Sequence, residues 1–589
     1  MIVGVLSGFV PESRFLGGED AMNELQSRRW EYGLLGILIL VSAIIRFGGI
    51  TYSAPFHFHI DEQLLLTTTA DLATDPMKAL EHKYFFTYGS LPRTILLPLF
   101  KLAEWTDNLN LNSIRQQMAY YAIARSVSAF FGVISILLIW IIGERQFGRG
   151  VGWGAAILLA FSPLHVRDSH FFTPDVMLTF FLMATMSTAA LFLKTKRPLH
   201  MILVGGLAGL AVATKANALP GLLPLAICVL AARRWKLFFL AVISFLLMFC
   251  IGYWPIAIGF DQLMKVIRQL SLWVAGVEIR QPDLHFVGTK PWIYWYTNLL
   301  YFGAGPVLLI LGSIGLIPMI RRSISSNPER MLLSYAIPLF VVLGATFEKF
   351  MRYSLPLHPF LALCGGLVIA SIFRAGSSLR ILRIPVSILV IVHSLYGFSY
   401  ASIFWHQDPR IRAGTELAEI VPPGTTILLE TTHSNPPLIA DDWNKGIYGS
   451  YLPKLGECMV SRKGRFELVY IDPFRYLYDS TISDTDKWTC LDSALARSEI
   501  IVLGPRYREQ YLRLPRQFPT MNMFYQGLDS GELGFQLVNI YENNPRILGF
   551  SIDDRHSELT FRLFDRPEIR VYAKYDSHSW NLLQNTGSS

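Results

Sequence analysis

The sequence predicts an α-helical polytopic membrane protein followed by a C-terminal soluble α/β domain, and three observations predict it. Of 589 residues, 52% are hydrophobic and only 16% charged, against about 25% charged in an ordinary soluble domain. The long apolar runs lie within residues 31–404, whereas 405–589 has the mixed composition of a water-soluble fold. Basic residues gather in short clusters between apolar runs, the bias of cytoplasmic loops in membrane proteins. That placement also argues against nucleic acid as the reason for the net charge of +8.

Residues 1–30 contain Glu12, Glu19, Asp20 and Glu24, and a span-length apolar run follows them. They read as a cytoplasmic segment and not as a cleavable signal peptide. Apolar runs then predict about eleven spans, near 31–50, 118–143, 151–166, 174–193, 200–215, 217–232, 236–257, 292–320, 331–347, 353–373 and 383–404. The clusters at Glu144–Arg149, Lys194–Arg197, Arg233–Lys236, Arg321-Arg322 and Arg374–Arg383 all fall on the side of the N-terminus, which is therefore cytoplasmic. The opposite, outer face receives the first loop 51–117, the loops 165–174 and 258–291, and the tail 405–589. The apolar stretch Leu91 to Trp105 is short and interrupted by Pro92, Pro98 and Lys101, so it reads as an interfacial helix. Were it a span, every later basic cluster would face outward.

Ionisable residues crowd the outer membrane edge. Asp61-Glu62 stand about ten residues beyond the first span, where an unpaired charge is costly. The loop SPLHVRDSHFFTPDVML carries Arg167, Asp168, His170 and Asp175; Lys215 ends the fifth span; EKFMRY, with Lys349, Arg352 and Tyr353, opens the tenth. Each has a plainer reading. Asp61-Glu62 and Asp175 suit the first turn of a helix, Arg167-Asp168 forms an ordinary salt bridge, and Lys215 and Arg352 snorkel. Their common side favours a site that holds an anionic lipid head group and activates a hydroxyl.

The Asp-Glu pair, the Arg…His…Asp loop, GLA…TK and KFMRYSLPLHPFLAL together resemble the GT-C-fold glycosyltransferases. The similarity is to the branch of the protein O-mannosyltransferases and aminoarabinose transferases, over roughly residues 31–404, with ARSVSAFFGVISILLIWIIGERQFGRGVGWGAAILLAFSPLHVRDSHFFTPDVMLTF as its longest stretch. In the tail, GELGFQLVNIYENNP and FRLFDRPEIRVYAKY look like outer domains of some prokaryotic members. The resemblance implies a GT-C-like transferase that takes a sugar from a polyprenyl-phosphate donor and passes it to a protein, lipid or glycan acceptor, with inversion. It implies Asp61 as general base, Glu62 orienting the loop or the acceptor, and Asp175 with Arg167 and His170 shaping the second half of the site. Lys215, Lys349, Arg352 and Tyr353 are the candidates for holding substrate. No metal is assigned, although Asp61, Glu62 and Asp175 offer oxygen ligands for a divalent ion and His57, His59 and His170 offer nitrogen.

In the tail, Arg410–Ile420 and Lys487–Ala496 read as helices, and Thr426–Glu430, Glu467–Ile471 and Glu499–Leu503 as strands of a small α/β layer. Leu533–Glu542, Glu558–Phe564 and Glu568–Tyr575 read as antiparallel strands. Cys228, Cys250 and Cys364 lie in spans, while Cys458 and Cys490 are the two in the tail, as an outer-face disulfide or as two buried thiols. A transporter or lipid flippase is the rival class, but its acids usually lie at mid-membrane within repeated halves. A non-catalytic assembly subunit is a third.

Overall fold

The computed structural model describes residues 18–56, 58–107, 114–232, 234–374, 376–432, 435–438, 457–575 and 577–586. Among the described residues eight helices are long and apolar enough to cross a membrane, and three further apolar helices (Arg149–Ala160, Pro198–Thr214, Ala216–Ala232) are shorter. Without a strong hydrophobic force between helices in lipid, close backbone contact does the packing, and small residues permit it. Gly205 and Gly209, spaced as G-x-x-x-G in Pro198–Thr214, face the helix Trp235–Gly252. A Cβ at either would lie 2.3 or 2.4 Å from the carbonyl oxygen of Ala241 or Phe245.

One expected span is revised. The span expected over 292–320 is broken. Gly305 takes a φ of +91° and Pro306 follows, so the long helix restarts as Pro306–Ser323 after the short turns Trp295–Leu300 and Tyr301–Ala304. Proline fits a helix start but cannot donate within it. The outer loop 258–291 holds the helix Ile256–Val274. Its apolar side chains Ile258, Phe260, Met264 and Ile267 are exposed, as befits a helix lying in the membrane interface. Leu91–Asp107 is also a helix, with Pro98 inside it, and is not among the span-length apolar helices.

The tail is built on a six-stranded sheet in the order Met459–Lys463, Glu467–Ile471, Thr426–Glu430, Ile500–Leu503, Ile569–Lys574, Phe535–Tyr541. Thr426–Glu430 runs parallel to both of its neighbours; the outer pairings are antiparallel. Side chains alternate between faces. Leu428, Val469 and Ile501 pack with Leu491 and Phe524 on one face, while Ile427, Leu468 and Ile500 pack with Ala413 and Leu417 on the other. Covering both faces explains the continuous apolar runs of the central strands. Glu558–Phe564, expected as a strand, is instead the helix Leu559–Leu563, started by the Glu558 carboxylate accepting from Thr560 N. Cys458 and Cys490 are joined as a disulfide with Cα atoms 6.2 Å apart, tying the helix Asp484–Arg497 to the sheet edge.

The tail is seated on the end of the last span. Asn543 Nδ2 donates to the Ile403 carbonyl at 3.0 Å, and Tyr400 Oη donates to Asp554 Oδ2 at 2.8 Å. Arg566 pairs with both Asp554 and Asp565.

Candidate active site

The site begins at one helix N-terminus. After the first span the chain turns and enters Ile60–Thr74, where the His59 ring accepts from the Glu62 amide at 3.4 Å as the cap. Burial holds the His59 imidazole well below its usual range, so the ring is neutral and can accept. Asp61 and Glu62 are consecutive in the first turn, hence about 100° apart around the axis, and cannot share one face.

Glu62 turns inward. Arg125 Nε donates to its Oε1 at 2.8 Å, Arg125 Nη2 to its Oε2 at 2.7 Å, and the Phe172 amide to Oε1 at 2.8 Å. Both side chains are 1% exposed. Arg125 also donates to the Ile50 and Tyr52 carbonyls at 3.0 and 2.6 Å. A forked pair buried this completely fixes the loop to the span that carries Arg125.

Asp61 turns outward into a cavity of about 570 Å³ between the membrane helices and the tail. Arg352 Nη2 stands 3.2 Å from Asp61 Oδ2, and Tyr88 lines the same cavity. Burial opposes ionisation of Asp61, but Arg352, with help from Tyr88 and Lys215, outweighs it and holds the carboxyl below its usual range. Lys215 caps the end of Pro198–Thr214 and reaches Asp175 Oδ1 at 2.8 Å, its ammonium 4.7 Å from the centre of the Tyr353 ring. Asp61, Lys215, Arg352 and Tyr353 all line the cavity.

The other sequence candidates stand elsewhere. Asp175, in the first turn of Pro174–Thr195, lies behind Lys215, and its Oδ2 has no partner among the described residues. Glu62 is outside the cavity, so a direct hold on an acceptor does not fit its geometry; orienting the loop does. Arg167 binds Asp168 Oδ1 at 2.8 Å, Asp565 Oδ2 at 3.3 Å and the Thr560 carbonyl at 3.1 Å, joining the loop to the tail. Burial raises the Asp168 carboxyl to about 6 even beside that guanidinium. His170 stacks on Phe404 at 3.7 Å between the Val166 and Gly48 carbonyls, and burial pushes its imidazole down to about 3. Lys349 Nζ donates to the Phe347 carbonyl at 3.0 Å and does not line the cavity.

A set the sequence reading passed over lines the cavity beside Arg352. Arg280 donates from Nε to Asp283 Oδ2 at 2.6 Å and from Nη2 to Glu348 Oε1 at 2.7 Å, stacking 3.7 Å over Trp273. Burial, then repulsion from Asp283, raises the Glu348 carboxyl to about 7. Glu348 lay in the stretch EKFMRY, and only its surroundings distinguish it. Arg125 had a readable signal, a charge within a predicted span. From the tail come Arg475, Arg506 and Tyr507.

Asp61, Glu62 and Asp175 face three different cations and do not form a common ligand set. Among the described residues no group of three or more His, Cys, Asp or Glu is arranged to hold a metal. His57 lies outside the described residues.

The chain is thus a polytopic membrane protein with an acid–cation cavity beneath a seated α/β domain. Residues 120–254 match the family model described as dolichyl-phosphate-mannose-protein mannosyltransferase, so the resemblance read from the residues stands over that segment. No curated protein matches the chain. Among solved structures, the apo oligosaccharyltransferase of Archaeoglobus fulgidus is similar at a TM-score of 0.48 and 12% identity, covering 83% of this chain and 72% of that one. ArnT from Cupriavidus metallidurans bound to undecaprenyl phosphate is similar at 0.47 and 14%, covering 92% of this chain and 98% of that one. AglB from A. fulgidus, in complex with an inhibitory peptide and a dolichol-phosphate, is similar at 0.46 and 12%, covering 95% and 77%.

Proposed function

We propose that this chain is a membrane glycosyltransferase that moves a sugar from a polyprenyl-phosphate donor to an acceptor hydroxyl, with inversion and with Asp61 as general base. The observation that carries the reading is the wall on which Asp61 faces Arg352, beside Lys215 and Tyr353, in a cavity at the membrane edge. A lipid phosphate brings negative charge to that wall and competes with Asp61 for Arg352. As the guanidinium moves to the phosphate, the attraction that depresses the Asp61 carboxyl weakens and the carboxylate becomes a better base. The acceptor oxygen bonds to the anomeric carbon while the bond from that carbon to the phosphate oxygen breaks. The electron pair leaves with the phosphate, where Arg352 and Lys215 stabilise it, and the hydroxyl proton passes to Asp61.

The N-terminus is cytoplasmic and the cavity and tail extracytoplasmic in this reading. Two things support it: the basic loops share one side, and the first loop, the Ile256–Val274 loop, the Glu348 segment and the tail all contribute to one cavity. The division into 1–30, 31–404 and 405–589 follows, with 51–117 supplying the base. Mass spectrometry of polyprenyl-phosphate sugars in cells lacking the gene tests the proposal. A sugar–lipid is expected to accumulate and to be cleared by the wild-type chain but not by Asp61→Asn. Unchanged lipid pools, or clearance by Asp61→Asn, would overturn it.

A further inference from the structure

We infer that the tail supplies a second, anion-binding part of the cavity, built on Arg506 with Arg475, which recognises an acidic group, phosphate or carboxylate, carried by the acceptor. As a statement about the acceptor it rests on the transferase reading; as an anion site it does not.

Arg506 is only 8% exposed and lines the cavity. Among the described residues no acid and no hydrogen-bond acceptor engages its guanidinium; its recorded contact is the ring of its neighbour Tyr507, at 5.6 Å. The other deeply buried arginines are all partnered. Arg125 has Glu62, Arg410 has Asp408, Arg566 has Asp554 and Asp565, and Arg46 has the Ala160 carbonyl. A largely buried guanidinium with no carboxylate partner is poorly compensated, and Arg506 is one on a cavity wall. Its nitrogens are not among the sealed atoms that lack partners, so they remain open to an incoming group.

Two further features point the same way. Arg475 lines the same wall, half-buried, and its guanidinium makes no salt bridge among the described residues, although its charge acts on the nearby Asp472; its backbone amide donates to Asp472 Oδ1 at 3.1 Å and its carbonyl accepts from Asp479 N at 2.9 Å. Arg506 also sits in the first turn of Pro505–Leu512, whose N-cap Gly504 offers no capping side chain. The positive end of the helix therefore adds to the field of the two guanidinia. On the membrane wall, by contrast, Lys215 and Arg352 already have carboxylate partners. The cavity thus has a paired wall suited to exchanging partners during reaction and an unpaired wall suited to holding a second anion. A forked guanidinium matches the oxygens of phosphate or carboxylate.

Calorimetric titration of the full chain in zwitterionic nanodiscs tests this, with inorganic phosphate and acetate as probes and polyprenyl phosphate loaded beforehand to fill the donor position. Wild type is expected to bind one of the two probes, and the stronger one tells phosphate from carboxylate. Loss of a charge-assisted contact predicts binding weaker by at least about tenfold in R506Q. R506K, which keeps the charge, should lose less, and polyprenyl-phosphate affinity should not change in either. R475Q carries the same comparison if R506Q does not fold. Equal probe binding by wild type and both Gln variants, or no probe binding by loaded wild type, would overturn the inference. Failure of polyprenyl phosphate to bind wild type would overturn the transferase reading instead, and probe binding to the unloaded chain would still decide the anion site.

Discussion

Two adjacent acids at the start of Ile60–Thr74 lead different lives. On the inner face, Glu62 is sealed against Arg125 and the Phe172 amide. On the outer face, Asp61 looks into a cavity across from Arg352, with 17% of its side chain exposed. The difference is one residue along a helix, about 100° of rotation. Charge alone does not make a carboxylate catalytic. A base needs room for a substrate, and of the two acids only Asp61 lines the cavity, which is why that role is proposed for it.

The comparison can be broken at several points. The largest effect is expected at Asp61: replacement by Asn should slow sugar transfer by about 10²- to 10⁴-fold, the usual worth of a general base, read with labelled donor in membranes. Next comes Glu62→Ala, which leaves Arg125 buried and unpaired and should destabilise the protein by about 3–5 kcal/mol, read as thermal melting in detergent. The double change Glu62→Met with Arg125→Met should restore part of that loss, because the uncompensated charge is gone. Asp175→Asn frees Lys215 without touching the cavity. It should slow transfer by roughly tenfold while leaving the melt within a few degrees, as a positioning residue would.

Glu348 sharpens the comparison by pH. Its carboxyl is raised from 4.5 to about 7, so its neutral form favours the folded state. The resulting stability is fully present below pH 4.5 and is lost as pH rises through about 7, the sign expected for a raised acid. In Glu348→Gln that part of the pH dependence should vanish from melting curves taken across this range. The smallest effect belongs to Arg149–Glu31, 3.0 Å apart but 43% and 26% exposed. Its removal should cost less than about 1 kcal/mol.

The sequence carried the architecture well, because apolar runs, long in the spans and short in the central strands, are local patterns. Strands at Thr426–Glu430 and Glu467–Ile471 were legible for that reason. Glu558–Phe564 was misread because alternating apolar residues in a short segment do not reveal that Glu558 caps a helix while also meeting His285 and the Met351 amide. The site was legible in part. Asp61, Lys215, Arg352 and Tyr353 could be gathered on one membrane face from topology. That Arg167 and His170 serve the seams between segments, while Glu348, Arg280 and Arg506 line the cavity, depends on contacts made across hundreds of residues. Pattern reading does not reach those.

The central claim is that one of two neighbouring acids does chemistry and the other holds structure. Measuring transfer rate and melting temperature side by side for Asp61→Asn and Glu62→Gln tests it most directly. The account predicts that Asp61→Asn keeps its melting temperature and loses transfer, while Glu62→Gln melts lower and loses transfer only as far as it unfolds. Transfer retained by a folded Asp61→Asn, with a folded Glu62→Gln inactive at full stability, would contradict it.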